Sequence, residues 1–127
     1  MRNEEIIKER FMRDTWNTRL GNLAVNLARV DSFSSNDAHK KAVEHVIEES
    51  IGFIAWTIKE VDAEKAVVLV ALQKQLDHWK LHLDELWEDS LQRQAMRKQG
   101  REWSEKVLNM SGLLYVTKPE VKKVAEP

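Results

Sequence analysis

From Met12 to Leu86 the apolar residues of this chain recur at alternating spacings of three and four, the period of one face of an α-helix. Met12, Trp16, Leu20, Leu23, Leu27 and Val30 form a first series. Val43, Ile47, Ser50, Ile54 and Ile58 form a second, widened by Val46 and Ile51. Leu69, Leu72, Leu76, Trp79, Leu83 and Leu86 form a third, a clean heptad. The run Val67 to Leu72 contains three valines, as a strand would, but the helical register on both sides assigns it to a helix. With 4 glycines and 2 prolines in 127 residues, there are too few turn formers for a sheet protein. The pattern predicts an all-α fold: an antiparallel bundle of three long helices plus a short C-terminal fourth helix.

Helix one is expected from about Glu4 to Val30. The polar segment Asp31 to Asn36 then makes a loop, with Ser35 or Asn36 capping helix two over about Asp37 to Glu60. Val61 and Asp62 mark the next turn, with Asp62 as the cap of helix three from Ala63. Residues 88–99 are good helix formers with few apolar positions, so helix three continues or bends as far as Gly100. A short helix over about Arg101 to Met110 stops at Gly112, a residue suited to the left-handed conformation. Leu113 to Val116 is the last apolar segment and is expected to pack back on the bundle. Residues 1–116 thus make one domain, and 117–127 read as a flexible tail. Unbroken to Gln99, helix three would reach roughly 55 Å against about 40 Å for helix one. Such an overhang needs the fourth helix or a second subunit against it, because an isolated helix of a dozen residues is marginal in water. A homodimer is the expectation.

Charge and hydropathy narrow the partners. The formal net charge is −1 with both signs interspersed, so the chain lacks the basic footprint that holds a phosphate backbone, and nucleic acid is not an expected partner. The longest apolar run, Ala66 to Leu72, is far short of the roughly 20 residues that cross a bilayer. The charged N-terminal residues do not resemble a signal peptide and there is no cysteine for a disulfide, so a cytoplasmic location is expected.

Three places invite a site. His78 and His82, four residues apart, share one helical face, as two imidazoles must to hold a metal. In a hairpin turning near Asp62, His45 comes level with them, with Glu48 or Glu85 in reach. Facing opposes it, since His45 lies about 160° round the helix from Ile47. A carboxylate-bridged di-metal centre would want Glu-x-x-His, whereas this chain has His45-x-x-Glu48 and His82-x-x-Glu85. Solvated surface histidines are the simpler account.

The second place is Gly52 with Trp56. A glycine inside a helix costs about 1 kcal/mol relative to alanine, so close approach of another group would explain it. With Phe53, and with Trp87 lying off the third heptad, these residues suggest an apolar interface. The simpler account is a helix two buried on both sides.

The third is charge: Asp84, Glu85, Glu88 and Asp89 precede Arg93, Arg97, Lys98 and Arg101. Antiparallel copies would attract, although an ordinary solvated face with local pairing explains the same pattern. The chain has no cysteine nucleophile, Gly-rich phosphate loop or Gly-x-Ser-x-Gly elbow, and no motif specific enough to name a family. The sequence therefore points to a non-enzymatic interaction protein that self-associates and binds a protein partner through an apolar helix face, with no cofactor. The alternative is a metal- or small-molecule-binding bundle built on His45, His78 and His82. A regulatory role for residues 113–127 as a docking peptide is a third reading.

Overall fold

The computed structural model describes residues 2–113 and is all-helical, with no strand among them. Six helices follow one another: α1 (Arg2–Arg13), α2 (Trp16–Phe33), α3 (Lys40–Thr57), α4 (Ala63–Leu81), α5 (Leu83–Glu88) and α6 (Ser90–Ser111). Single 3-10 turns, Asp37–His39 and Ile58–Glu60, flank α3. The expected tail over 117–127 and the packing of residues 114–116 lie outside the described residues.

The caps explain most of the boundaries. Asp62 accepts a hydrogen bond from the Lys65 amide at 2.9 Å and caps α4, as the sequence predicts, whereas Asn36, accepting from the Ala38 amide at 2.8 Å, caps the 3-10 turn and leaves α3 to start at Lys40 with no side-chain cap. Thr15 is the cap the helical spacing conceals. Its backbone is extended and its hydroxyl accepts from the Thr18 amide, so the expected first helix, Glu4 to Val30, is two helices broken at Asp14–Thr15. The break changes the register: Phe11 is buried, whereas Met12, assigned to the seam, is exposed.

The expected third helix is also broken. α4 ends at Leu81, α5 is a short segment, and Asp89 starts α6 by accepting from the Leu91 and Gln92 amides at 3.0 and 3.2 Å. The inner heptad nevertheless runs on across the first break, with Leu69, Leu72, Leu76, Trp79, Leu83 and Leu86 all buried. α6 then passes through Gly100 without stopping. Glycine is there for packing: a Cβ at Gly100 would lie 3.1 Å from the Leu27 carbonyl oxygen of α2. The stop falls at Gly112, whose φ of +79° is left-handed, as predicted. A fourth long helix therefore replaces the predicted short one, and the overhang is absent.

Pairs of residues across the helices give their directions. Arg19 meets Trp56 and Glu60, and Asn26 meets Glu49, so α2 and α3 run antiparallel. Lys80 meets Glu48 and Lys40 meets Asp84, so α3 and α4 do too. Arg97 meets Asp31 at 2.8 Å, the Ser104 hydroxyl donates to Ala24 O at 2.7 Å, and Asn17 donates to Ser111 O at 2.8 Å, which lays α6 antiparallel along α2. Leucines 20, 23, 27, 69, 72 and 76, with Val43, Ile47, Ile54, Met96 and Val107, fill the space between these helices. Each fully buried side chain of this size contributes roughly 2 kcal/mol. Leu113, the last described residue, lies on α2, its Cδ1 2.7 Å from where a Cβ on Gly21 would be. None of the described helices is long and apolar enough to cross a membrane.

Candidate functional site

Gly52, Phe53 and Trp56 come together on α3, and their neighbours belong to the same chain. The space that glycine leaves at position 52 is taken by the Trp56 ring one turn on, whose Cη2 lies 3.4 Å from where a Cβ would be. Phe53 stacks on Phe11 of α1, with ring centroids 4.2 Å apart and planes 10° from parallel. Trp56 tilts against the same Phe11 at 5.7 Å, and the Lys8 ammonium stands 5.8 Å from its ring. This broad apolar face of α3 is where α1 packs, an arrangement that becomes possible once the chain breaks at Thr15. Phe53 is buried, while Trp56 keeps part of its surface exposed.

Trp87 is likewise engaged within the chain. Its indole Nε1 donates to Asp37 O at 3.2 Å, and the Arg93 guanidinium lies over its ring at 4.7 Å. Arg93 also pairs with the Asp37 carboxylate at 2.7 Å. Tryptophan and arginine together tie α5 and the start of α6 to the turn that opens α3.

The histidines divide. His78 and His82 are neighbours, with ring centroids 4.7 Å apart, and His82 Nδ1 hydrogen-bonds Glu85 Oε1 at 3.0 Å. His45 is exposed on α3, and Glu48 pairs with Lys80. Among the described residues no three His, Cys, Asp or Glu side chains gather as a metal-binding group.

Two features escape a reading by spacing alone. One is Arg19, whose side chain is only 5% exposed. It donates to Asp14 O at 2.9 Å, to Trp56 O at 3.2 Å, and with both terminal nitrogens to the Glu60 carboxylate at 2.6 and 2.9 Å. This bidentate bond holds the Glu60 carboxyl below the usual carboxylate range. The signal in the sequence is indirect: a Thr15 cap places Arg19 in the first turns of a new helix, beside the carbonyls that end the previous one.

The other is the outer side of α4. Val67 is 69% exposed, Val70 42% and Leu81 78%. With Ala63, Lys74 and Asp77 they make a series spaced four, three, four, three, four, opposite the buried Leu69, Leu72, Leu76 and Trp79. α4 therefore carries two heptad stripes, one facing the core and one facing out. The spacing of the second was legible in the sequence but was masked by the first. Comparison of the chain with protein families, with curated proteins and with solved structures finds no match in any of the three.

Proposed function

We propose that this protein is a non-enzymatic, cytoplasmic helical-bundle interaction protein that associates with its own copies and with a protein partner through an apolar helix face, the outer side of α4. The observation that carries the reading is the exposure of Val67, Val70 and Leu81 in a single helical register. Scattered apolar residues on a surface need no explanation, but a stripe with a seam's period on one helix is the form in which helices present themselves to partner helices. Residues 66–72 of α4 are apolar on all sides, a property of helices covered all round. Gly52, Phe53, Trp56 and Trp87 support this reading less, because Phe11, Asp37 and Arg93 of the same chain already pack on them.

The test is solution mass by light scattering after size exclusion, for the natural chain and for a Val67→Glu/Val70→Glu variant. The natural chain is expected to weigh more than one 14.8 kDa copy, and the variant to weigh one copy with unchanged helical circular dichroism. A natural chain that stays at one copy up to its solubility limit would discard self-association.

A further inference from the structure

We infer that α4 pairs with the α4 of a second copy, antiparallel, about a two-fold axis passing between Lys74 and Asp77. The inference rests on the self-association proposed above and names its occupant and register. In the outer heptad, Val67, Lys74 and Leu81 occupy the a positions and Ala63, Val70 and Asp77 the d positions. Two antiparallel helices related by a two-fold axis put an a residue opposite a d residue, and every contact occurs twice.

Centring the axis between Lys74 and Asp77 sets Lys74 of each copy against Asp77 of the other. The next layers outward, at both ends, set Val70 against Leu81. The result is two opposite-charge pairs in the middle, closed at each end by an apolar layer, over about 16 Å of helix from Val70 to Leu81. Both charged side chains are exposed in the single chain, so each is available to a second copy. Ala66 and Ala71 flank the stripe, and their small side chains allow the two helices to approach closely.

The other arrangements fail on charge. A parallel pair sets Lys74 against Lys74 and Asp77 against Asp77. An antiparallel pair slipped by seven residues toward the N-terminus sets Lys74 against Val70 and Asp77 against Val67, which desolvates each charge against a methyl surface with no partner. Slipping seven residues the other way sets Asp77 against Leu81 and carries both Val67 and Val70 past the end of the partner α4, whereas in the favoured register only Val67 of the two lies beyond it.

The chain has no cysteine, so an introduced one reports its own contacts. The experiment uses Val70→Cys and Leu81→Cys full-length chains under mild oxidation, alone and mixed, with circular dichroism as a check on folding. The mixed chains are expected to cross-link about tenfold faster than either alone, because association brings only the unlike pair within disulfide geometry. Alongside, Lys74→Asp is expected to raise the dimer Kd about tenfold, and Lys74→Asp/Asp77→Lys to restore it. Fast cross-linking of Val70→Cys alone would mean a parallel pair and overturn the inference. So would a natural chain that is dimeric while the mixture does not cross-link, which leaves self-association standing on another face. A natural chain of single-copy mass removes both.

Discussion

At the scale of single residues, Arg19 does the most to join separate parts of the chain. One guanidinium serves the carbonyl that ends α1, the Trp56 carbonyl near the end of α3, and the Glu60 carboxylate beyond it. A buried arginine is kept in place by such complete pairing, since a lost partner would leave polar groups without water or hydrogen bonds. The pairing makes stability depend on pH with a definite sign. Arg19 holds the folded Glu60 pKa below its ordinary 4.5, so the contribution is fully present above that value and is lost as pH falls through the lower folded value. Thermal melts of the natural chain and of Glu60→Gln should therefore differ most near neutral pH and converge as the pH is taken below 4.5. A difference in Tm that persists unchanged into acid would show that the charge on Glu60 is not what counts. Histidine contributes a local feature of the surface at this scale: the His78–His82 pair and its bond to Glu85 are legible from spacing, whereas the level at which His45 stands does not bring it into a ligand group.

Among the elements, the two glycines inside α3 and α6 show why a helix-breaking residue must be read with its neighbours. Gly52 faces the ring of Trp56 at 3.4 Å and more, which is tight but ordinary contact, and Gly100 faces backbone of α2 at 3.1 Å. Alanine favours a helix interior over glycine by roughly 0.5–1 kcal/mol, and at Gly52 little opposes that gain. At Gly100 the added methyl meets the Leu27 carbonyl, which cannot rotate away, and overpacking of this kind costs roughly 1–3 kcal/mol. Denaturant midpoints should accordingly rise for Gly52→Ala and fall for Gly100→Ala, with the m-value unchanged in both. Equal effects of the same sign would mean that α6 has room to move away from α2. The same contrast explains the misplaced helix end. Gly100 and Gly112 are both glycines in a helical sequence, but only Gly112 has a positive φ, and only contact with α2 accounts for the other. Asp89 reads as one more acid in a charged run, yet its carboxylate captures two amides and ends the predicted long helix.

For the whole molecule, folding α6 back along α2 completes the enclosure of one face of α4 and leaves the opposite face bare. If that face is covered by a second copy, folding and association are linked, and Tm should rise with protein concentration. Melts across a hundredfold dilution series are expected to show this rise for the natural chain and a flat line for Val67→Glu/Val70→Glu. A flat line for both would place the fold's whole stability in the single chain. The sequence by itself determined that the chain is helical, where α4 begins and where α6 ends. Those outcomes follow from the helical period, from the cap at Asp62 and from a left-handed Gly112, all set by interactions within a few residues. Only the tertiary structure decided that the outer stripe of α4 is left bare, that Phe53 and Trp56 are covered by α1, and that the expected overhang becomes α6 packed on α2. Those outcomes depend on contacts between residues far apart in the chain, such as Phe11 with Phe53, Asp31 with Arg97 and Leu27 with Gly100. Helical periodicity shows that a face is apolar; which element covers it is decided by where the chain turns.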